Sequence, residues 1–288
     1  MAKKRDALGD RMKKYEYITR TYLVPRMPVI IRLDGKAFHT FTRGFKRPFD
    51  EVLISTMQDT TKYLCENIQG CVLGYTQSDE ITLVLVDYKK LNSCAWFDNN
   101  IQKMCSIAAS MATFAFNRFF VANLNAFYEF NTDIDLTEIG YHITFSEEDN
   151  VKYYEAYKKA AEKGAMFDAR VFNIPKEEVC NCVLWRQNDA TRNSVEMVAQ
   201  AHFSHGILQH KSQSQMQDML MLEKGINWND FPVHQKRGSC CVRMPKIVQA
   251  TPECEPIVRF EWSIDKNIPI FKGEGRKYIE DLVFVGEP

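Results

Sequence analysis

The chain has 288 residues, 45% of them hydrophobic and 26% charged, enough to bury one large domain or two closely packed ones and too many for a small module. Its 37 Lys and Arg balance 37 Asp and Glu, so net charge by itself speaks against a nucleic-acid partner. The distribution qualifies this, because residues 1–50 hold 13 basic against 5 acidic residues, a local excess that suits phosphate-rich ligands or, in part, a solvated basic helix.

Leu8, Met12, Tyr15 and Ile18 recur at helical spacing and predict a helix over residues 3–20, ended by the Pro25 to Pro28 segment. The basic N-terminus runs into Gly-Asp-Arg-Met-Lys-Lys rather than an apolar stretch, which is not a secretory signal and makes the cytoplasm the expected location. No apolar run approaches the roughly 18 residues of a membrane-spanning helix, so no membrane partner is expected. A strand follows over Val29 to Leu33 and stops at Asp34-Gly35. Lys36 to Phe49, broken by Gly44 and Pro48, reads as a ligand-wrapping loop with one short helical turn.

Residues 50–68 predict a helix, and residues 70–77 and 81–86 the arms of a hairpin turning at Ser78-Asp79. The Ala-, Met- and Ser-rich 97–120 stretch fits a buried helix, with 121–130 as a closing strand. Strand, helix, hairpin, helix, strand is the order of a ferredoxin-type split βαβ sandwich, an α+β fold. After residue 135 the pattern becomes mixed: a helix start at 175–179, strands at 239–248 and 256–264, and a partly ordered tail over 272–288. The expected division is therefore a catalytic domain of residues 1–137 and an α+β C-terminal domain of 138–288. Nine cysteines without a Cys-x-x-Cys pair predict reduced thiols rather than a zinc site.

Asp34 and Asp79-Glu80 interrupt apolar, β-branched strands, where an ionised carboxylate is costly unless a cation or hydrogen bonds compensate it. On neighbouring strands about 5 Å apart they can share a divalent ion. Mg²⁺ takes one or two carboxylates and leaves its other positions to waters and phosphates, so Asp34, Asp79 and the carbonyl of Gly35 suffice. Gly35 lets the backbone approach closely, and the amides of Lys36, Ala37, Phe38 and His39 form a candidate triphosphate cradle. The alternative is two ordinary turns, Asp34-Gly35 ending a strand and Asp79-Glu80 at a hairpin tip.

The runs Arg-Leu-Asp-Gly-Lys-Ala-Phe-His-Thr-Phe-Thr (32–42), Phe-Lys-Arg-Pro-Phe-Asp (45–50), Gly-Tyr-Thr-Gln-Ser-Asp-Glu-Ile (74–81) and Trp-Arg-Gln-Asn-Asp-Ala-Thr-Arg-Asn (185–193) resemble, in order, the tRNA-histidine guanylyltransferase family. The resemblance implies a polymerase-like palm with a C-terminal domain for tRNA handling and oligomer contacts. It also implies nucleotide addition to tRNA 5′ ends in the 3′-to-5′ direction, two Mg²⁺ ions, GTP and other nucleoside triphosphates as substrates, ATP for 5′-end activation, and a homotetramer built as a dimer of dimers. Carried over by motif, Asp34, Gly35 and Asp79 match metal ligands, and 34–39 with Ser78-Asp79 match the nucleotide-binding stretch. Glu80 joins Asp34 and Asp79 as a catalytic candidate in a supporting role. Arg47 stands where the family has a triphosphate-contacting lysine, Asp50 matches an aspartate near the base, and Lys103 matches a basic position that meets a second triphosphate. Members that guanylylate tRNA-histidine carry His-Ile-Asn-Asn-Leu-Tyr-Asn after the Trp-Arg-Gln segment, whereas this chain has Thr191-Arg192-Asn193-Ser194-Val195. That departure resembles the guanylyltransferase-like branch, which implies templated repair of 5′-truncated tRNA.

Alternatives are guanylate addition to tRNA-histidine, a palm-type nucleotide cyclase, and a non-catalytic tRNA-binding protein. His202, His205 and His210 read as surface residues more than as a transition-metal site. Lys236-Arg237, with Arg243 and Lys246, reads as a basic hairpin able to grip RNA. Trp96 and Trp185 read as core rather than stacking platforms.

Overall fold

In the computed structural model, which describes residues 6–133, 147–248 and 257–286, the central strands are near-continuous apolar runs buried on both faces. The elements in order are α1 (Ala7–Ile18), β1 (Val29–Gly35), α2 (Phe38–Phe41), α3 (Glu51–Asn67), β2 (Cys71–Gln77), β3 (Glu80–Leu85), α4 (Ile101–Asp133), α5 (Glu147–Lys163) and β4 (Phe167–Asn173). There follow α6 (Lys176–His202), α7 (His205–Leu208), α8 (Gln213–Lys224), α9 (Val233–Arg237), β5 (Ser239–Val248), β6 (Ile257–Asp265) and α10 (Lys277–Val283). Six strands form one sheet in the order β4-β1-β3-β2-β5-β6, every neighbouring pair antiparallel. The first four reproduce the expected split βαβ arrangement, and the α+β class with it.

Val29, Ile31 and Leu33 of β1 and Ile81, Leu83 and Leu85 of β3 face α3 and α4, whose Met57, Leu64, Met104 and Phe116 complete that core. Ile30, Tyr75 and Val84 face the other way, against Val179 and Val183 of α6 and Ile279 of α10. Both faces of the palm are thus covered. The expected tail is ordered by this second core, which buries Ile279 and Val283.

One expectation is corrected. The stretch 121–130 is not a strand but the continuation of α4: no Gly or Pro interrupts residues 101–133, and Phe116, Phe120 and Leu124 at four-residue spacing keep one helical stripe buried. The closing strand is β4, where Phe167 points into the core while Asp168 and Arg170 are exposed. β4 and β5, from the part expected as a C-terminal domain, flank β1 and β2 in one continuous sheet, while residues 137 and 138 lie outside the described residues. By length and composition the 101–127 stretch of α4, at mean hydropathy 1.3, is apolar enough to cross a membrane; here its Met104–Leu124 stripe forms the palm core. Helix α1 forms as predicted, capped by the Asp6 carboxylate on the Gly9 amide, but buries none of its residues.

Candidate active site

The end of β1 and the β2–β3 turn are locked together by the backbone. Asp34 stands opposite Glu80 in register, and the Gly35 amide donates to the Asp79 carbonyl at 3.1 Å. Ser78 turns the hairpin in the left-handed region at φ 49°, which leaves Asp79 beside Asp34. At Gly35 the sequence requirement is steric: a Cβ there would stand 2.2 Å from Cδ2 of Phe38. Phe38 is itself buried against Phe41, Phe116 and Phe167 at centroid separations of 5.0, 5.4 and 5.4 Å. Gly35→Ala is expected to destabilise the fold by about 1–3 kcal/mol, read by chemical denaturation, because a packed ring must move to admit the methyl group. An unchanged midpoint would show that Phe38 yields freely.

Burial pushes the Asp79 carboxyl above its usual range; its own backbone amide lowers it, the neighbouring Asp34 charge raises it, and the Ser78 hydroxyl, 3.1 Å from Oδ1, lowers it. Among the described residues no Lys, Arg or His nitrogen lies within 4.0 Å of either aspartate. Two close carboxylates without a cationic side chain fit a hard divalent cation. Among the described residues no three His, Cys, Asp or Glu side chains converge on a metal-sized site, so such an ion needs the Gly35 carbonyl and oxygens from outside the protein. That is the donor set Mg²⁺ favours.

Glu80 has a different job. Its side chain leaves the aspartates for α6, where Arg186 Nε donates to Oε1 at 2.6 Å, and Arg32 Nε lies 3.9 Å away. Arg186 also donates through Nη2 to Asp189 at 2.8 Å. Burial raises the Glu80 carboxyl and the two guanidinium groups lower it.

The aspartates open onto a cleft of about 540 Å³, within the size range of small-molecule sites, lined by Asp34, Gly35, Ala37, Phe38, His39, Arg47, Asp50, Ser78 and Asp79 among others. Lys36, Glu80 and Lys103 do not line it. The Lys36 amide is already given to the Met166 carbonyl at 2.8 Å, which shortens the expected cradle to the amides of Ala37, Phe38 and His39. Lys103 stands at the start of α4, with its ammonium 5.9 Å from the Phe97 ring centroid. Asp50 lines the cleft, yet both its oxygens are committed: one caps α3 through the Leu53 amide at 2.9 Å, and the other accepts from the Lys46 amide at 3.0 Å and the Tyr157 hydroxyl.

The sequence profile of the family described as Thg1, tRNAHis guanylyltransferase, matches residues 9–175, which contain β1 to β4 entire and make up more than half of the chain. The chain belongs to the tRNAHis guanylyltransferase family. A solved bacterial tRNA(His) guanylyltransferase (Thg1)-like protein in complex with ATP is 40% identical, covering 97% of this chain and 100% of its own, with TM-score 0.76. The same kind of protein in complex with GTP is 37% identical with TM-score 0.72, again over 97% and 100%. An uncharacterised protein of Acanthamoeba polyphaga mimivirus is 29% identical over 250 residues, 81% of this chain and 76% of that one. The probable tRNA(His) guanylyltransferase of Dictyostelium discoideum is 24% identical over 238 residues, 81% and 83% of the two chains.

The far wall of the cleft lies beyond the profile's match and was not anticipated: Asn193, Met197 and Gln200 of α6, and His234 and Gln235 of α9. The Trp185–Asn193 run carried the resemblance to the guanylyltransferase family but offered no signal that α6 would turn this edge toward the aspartates. Thr191 does not line the cleft; its hydroxyl bonds to the Gln187 carbonyl at 2.9 Å within α6. Two further expectations change. Lys236 is not part of an RNA-facing hairpin but is buried at the end of α9, where its ammonium bonds to the Asn229 carbonyl and lies over the Trp228 ring. Trp96 is buried, but Trp185 is not core: it is 53% exposed.

Proposed function

We propose that this chain is a Mg²⁺-dependent nucleotidyltransferase that adds nucleotides to tRNA 5′ ends in the 3′-to-5′ direction, and that its task is templated repair of 5′-truncated tRNA. One observation carries the reading: Asp34 and Asp79, without a cationic partner among the described residues, line a nucleotide-sized cleft together with Arg47. The relatives' names and the ATP and GTP complexes of the similar bacterial protein support the substrate classes.

In this reading the 3′-hydroxyl of the incoming nucleotide attacks the α-phosphate at the RNA 5′ end. A P–O bond forms and the bond to the leaving group breaks, releasing pyrophosphate from a triphosphorylated end or AMP from an end first adenylylated with ATP. Two Mg²⁺ ions held by Asp34, Asp79 and the Gly35 carbonyl would acidify the attacking hydroxyl and offset charge on the phosphorus and the leaving group. The chain's own groups position the reactants. Arg47 offers a planar, permanently charged fork to triphosphate oxygens, and the uncommitted amides of Ala37, Phe38 and His39 add neutral donors. The amide and imidazole groups of Asn193, Gln200 and His234 face the nucleotide from the far wall. Glu80 keeps the turn in place rather than touching the reacting atoms. Thr191, in place of a histidine, favours repair over obligatory guanylate addition. We further propose a homotetramer, which light scattering on the purified protein tests.

The deciding experiment incubates the protein with Mg²⁺, labelled nucleoside triphosphates, and either a tRNA lacking its first nucleotide or full-length tRNA-histidine. Templated extension of the truncated tRNA is the expected result. Guanylate gained only by full-length tRNA-histidine would replace repair with the activity in the relatives' names, and conversion of triphosphates without RNA would indicate a cyclase.

A further inference from the structure

Beginning two residues from Asp34 along β1, the same sheet face carries a group of side chains that do not line the cleft. In the β1–β4 register Arg32 stands opposite Arg170, and Asp34 opposite Asp168. Directly opposed residues of an antiparallel pair project to the same face, and two like charges so placed destabilise the pair. Arg32 and Arg186 both lie over the ring of Trp185, at 5.4 and 4.4 Å from its centroid. More than half of Trp185 is nevertheless exposed, and Arg32 Nε is a buried donor without a hydrogen-bond partner among the described residues. Arg186 is spent on Glu80 and Asp189. Arg170 is paired only loosely, with Asp168 at 3.6 Å, both more than half exposed. An exposed pair of that kind contributes little and is readily exchanged for a phosphate.

An open indole flanked by guanidinium planes is the composition of a single-stranded nucleic-acid platform: the ring stacks a base and the cations meet the backbone. Its position adds the direction. A nucleotide seated in the cleft reaches Asp34 from one side, so the 5′-phosphate it attacks must come from another, and this patch begins two residues away along β1. We infer that Trp185, Arg32 and Arg170 form the docking patch for the RNA end whose 5′-phosphate reacts at Asp34, with Trp185 stacking a terminal base and the two arginines contacting phosphates. This rests on the proposed 5′-end nucleotidyl transfer and names where its second substrate binds.

The test measures binding of a fluorescein-labelled acceptor-stem hairpin bearing a 5′-monophosphate, by anisotropy, to the parent, Trp185→Ala, Trp185→Phe and Arg170→Gln proteins, with GTP affinity determined in parallel. Trp185→Ala is expected to weaken RNA binding about tenfold, and Trp185→Phe by about threefold or less, because the smaller ring still stacks. Arg170→Gln is expected to lower the slope of log K against log salt by about 1, the signature of one lost phosphate contact. GTP affinity should stay at the parent value in all three, and the loss in extension assays should appear in KM for RNA rather than in kcat. RNA affinity of Trp185→Ala within about twofold of the parent, against the roughly tenfold loss a stacked base predicts, overturns the inference while leaving the proposed function intact if the parent still extends RNA. A fall in GTP affinity matching the fall in RNA affinity also overturns it, because the indole would then be supporting the fold. A parent that binds no hairpin and extends no tRNA overturns both.

Discussion

Replacing Asp79 by Ala is expected to lower nucleotide addition on the order of 10³-fold, the effect of losing several kcal/mol of metal-assisted charge stabilisation. The same position carries an opposite effect on stability. Asp79 is half-buried next to Asp34, with no lysine, arginine or histidine beside it among the described residues, so its charge is both partly desolvated and repelled in the metal-free protein. Asp79→Asn removes that charge at nearly constant shape, and the variant should melt above the parent in EDTA. Adding Mg²⁺ at about 100 times its Kd should raise the parent's Tm by roughly 5 °C, since a ligand of the native state at that concentration contributes about 2.7 kcal/mol. The asparagine variant should gain little. An equal Mg²⁺ shift in both proteins would remove Asp79 from the proposed ion site and take the central observation away from the functional reading. A stability gain without the activity loss would mean that Asp79 is merely an ill-placed turn residue.

How much of this was legible in the residues depends on whether the signal is local. The palm strands announce themselves because Val29–Leu33 and Ile81–Leu85 are apolar and interrupted by carboxylates at positions where burial is expensive; both interruptions lie at the cleft end of the sheet. The closing strand was misplaced because α4 and β4 compete on weak local cues. Residues 121–130 carry aromatic and β-branched side chains suited to either state, and only the absence of a breaker since Ile101 favours the helix. The far wall was illegible for a different reason: Asn193, Gln200 and His234 reach the cleft because α6 packs on the sheet and α9 leads directly into β5 beside β2, and nothing in a linear reading states such a packing. Asp50 shows the limit of motif transfer. It lies in the cleft as the resemblance implies, but its carboxylate is consumed by capping α3 and holding Tyr157.

Arg186 is where the second large effect is expected. Arg186→Met should destabilise the protein by about 3–5 kcal/mol, because it leaves Glu80 as a buried carboxylate with no close hydrogen-bonding cation and with Asp34 opposite it in register. Arg32 cannot substitute, standing 3.9 Å away with its guanidinium laid over Trp185. The double variant Glu80→Gln, Arg186→Met removes both charges together and should recover most of the loss, since replacing a buried ion pair with neutral groups is often close to neutral. Chemical denaturation of the parent, both single variants and the double variant closes the cycle, and the expected coupling exceeds about 1 kcal/mol. Glu80 begins β3 immediately after Asp79, so the pair ties the metal-side turn to α6, the helix that also forms the far wall of the cleft. The double variant should therefore regain stability without regaining the full rate: a methionine and a glutamine pack, but they do not fix the direction of the turn as a bidentate-capable guanidinium does. Recovery of both stability and rate would show that the ion pair only fills space; additive single effects would show that Glu80 and Arg186 act independently and that α6 does not hold the aspartates in place.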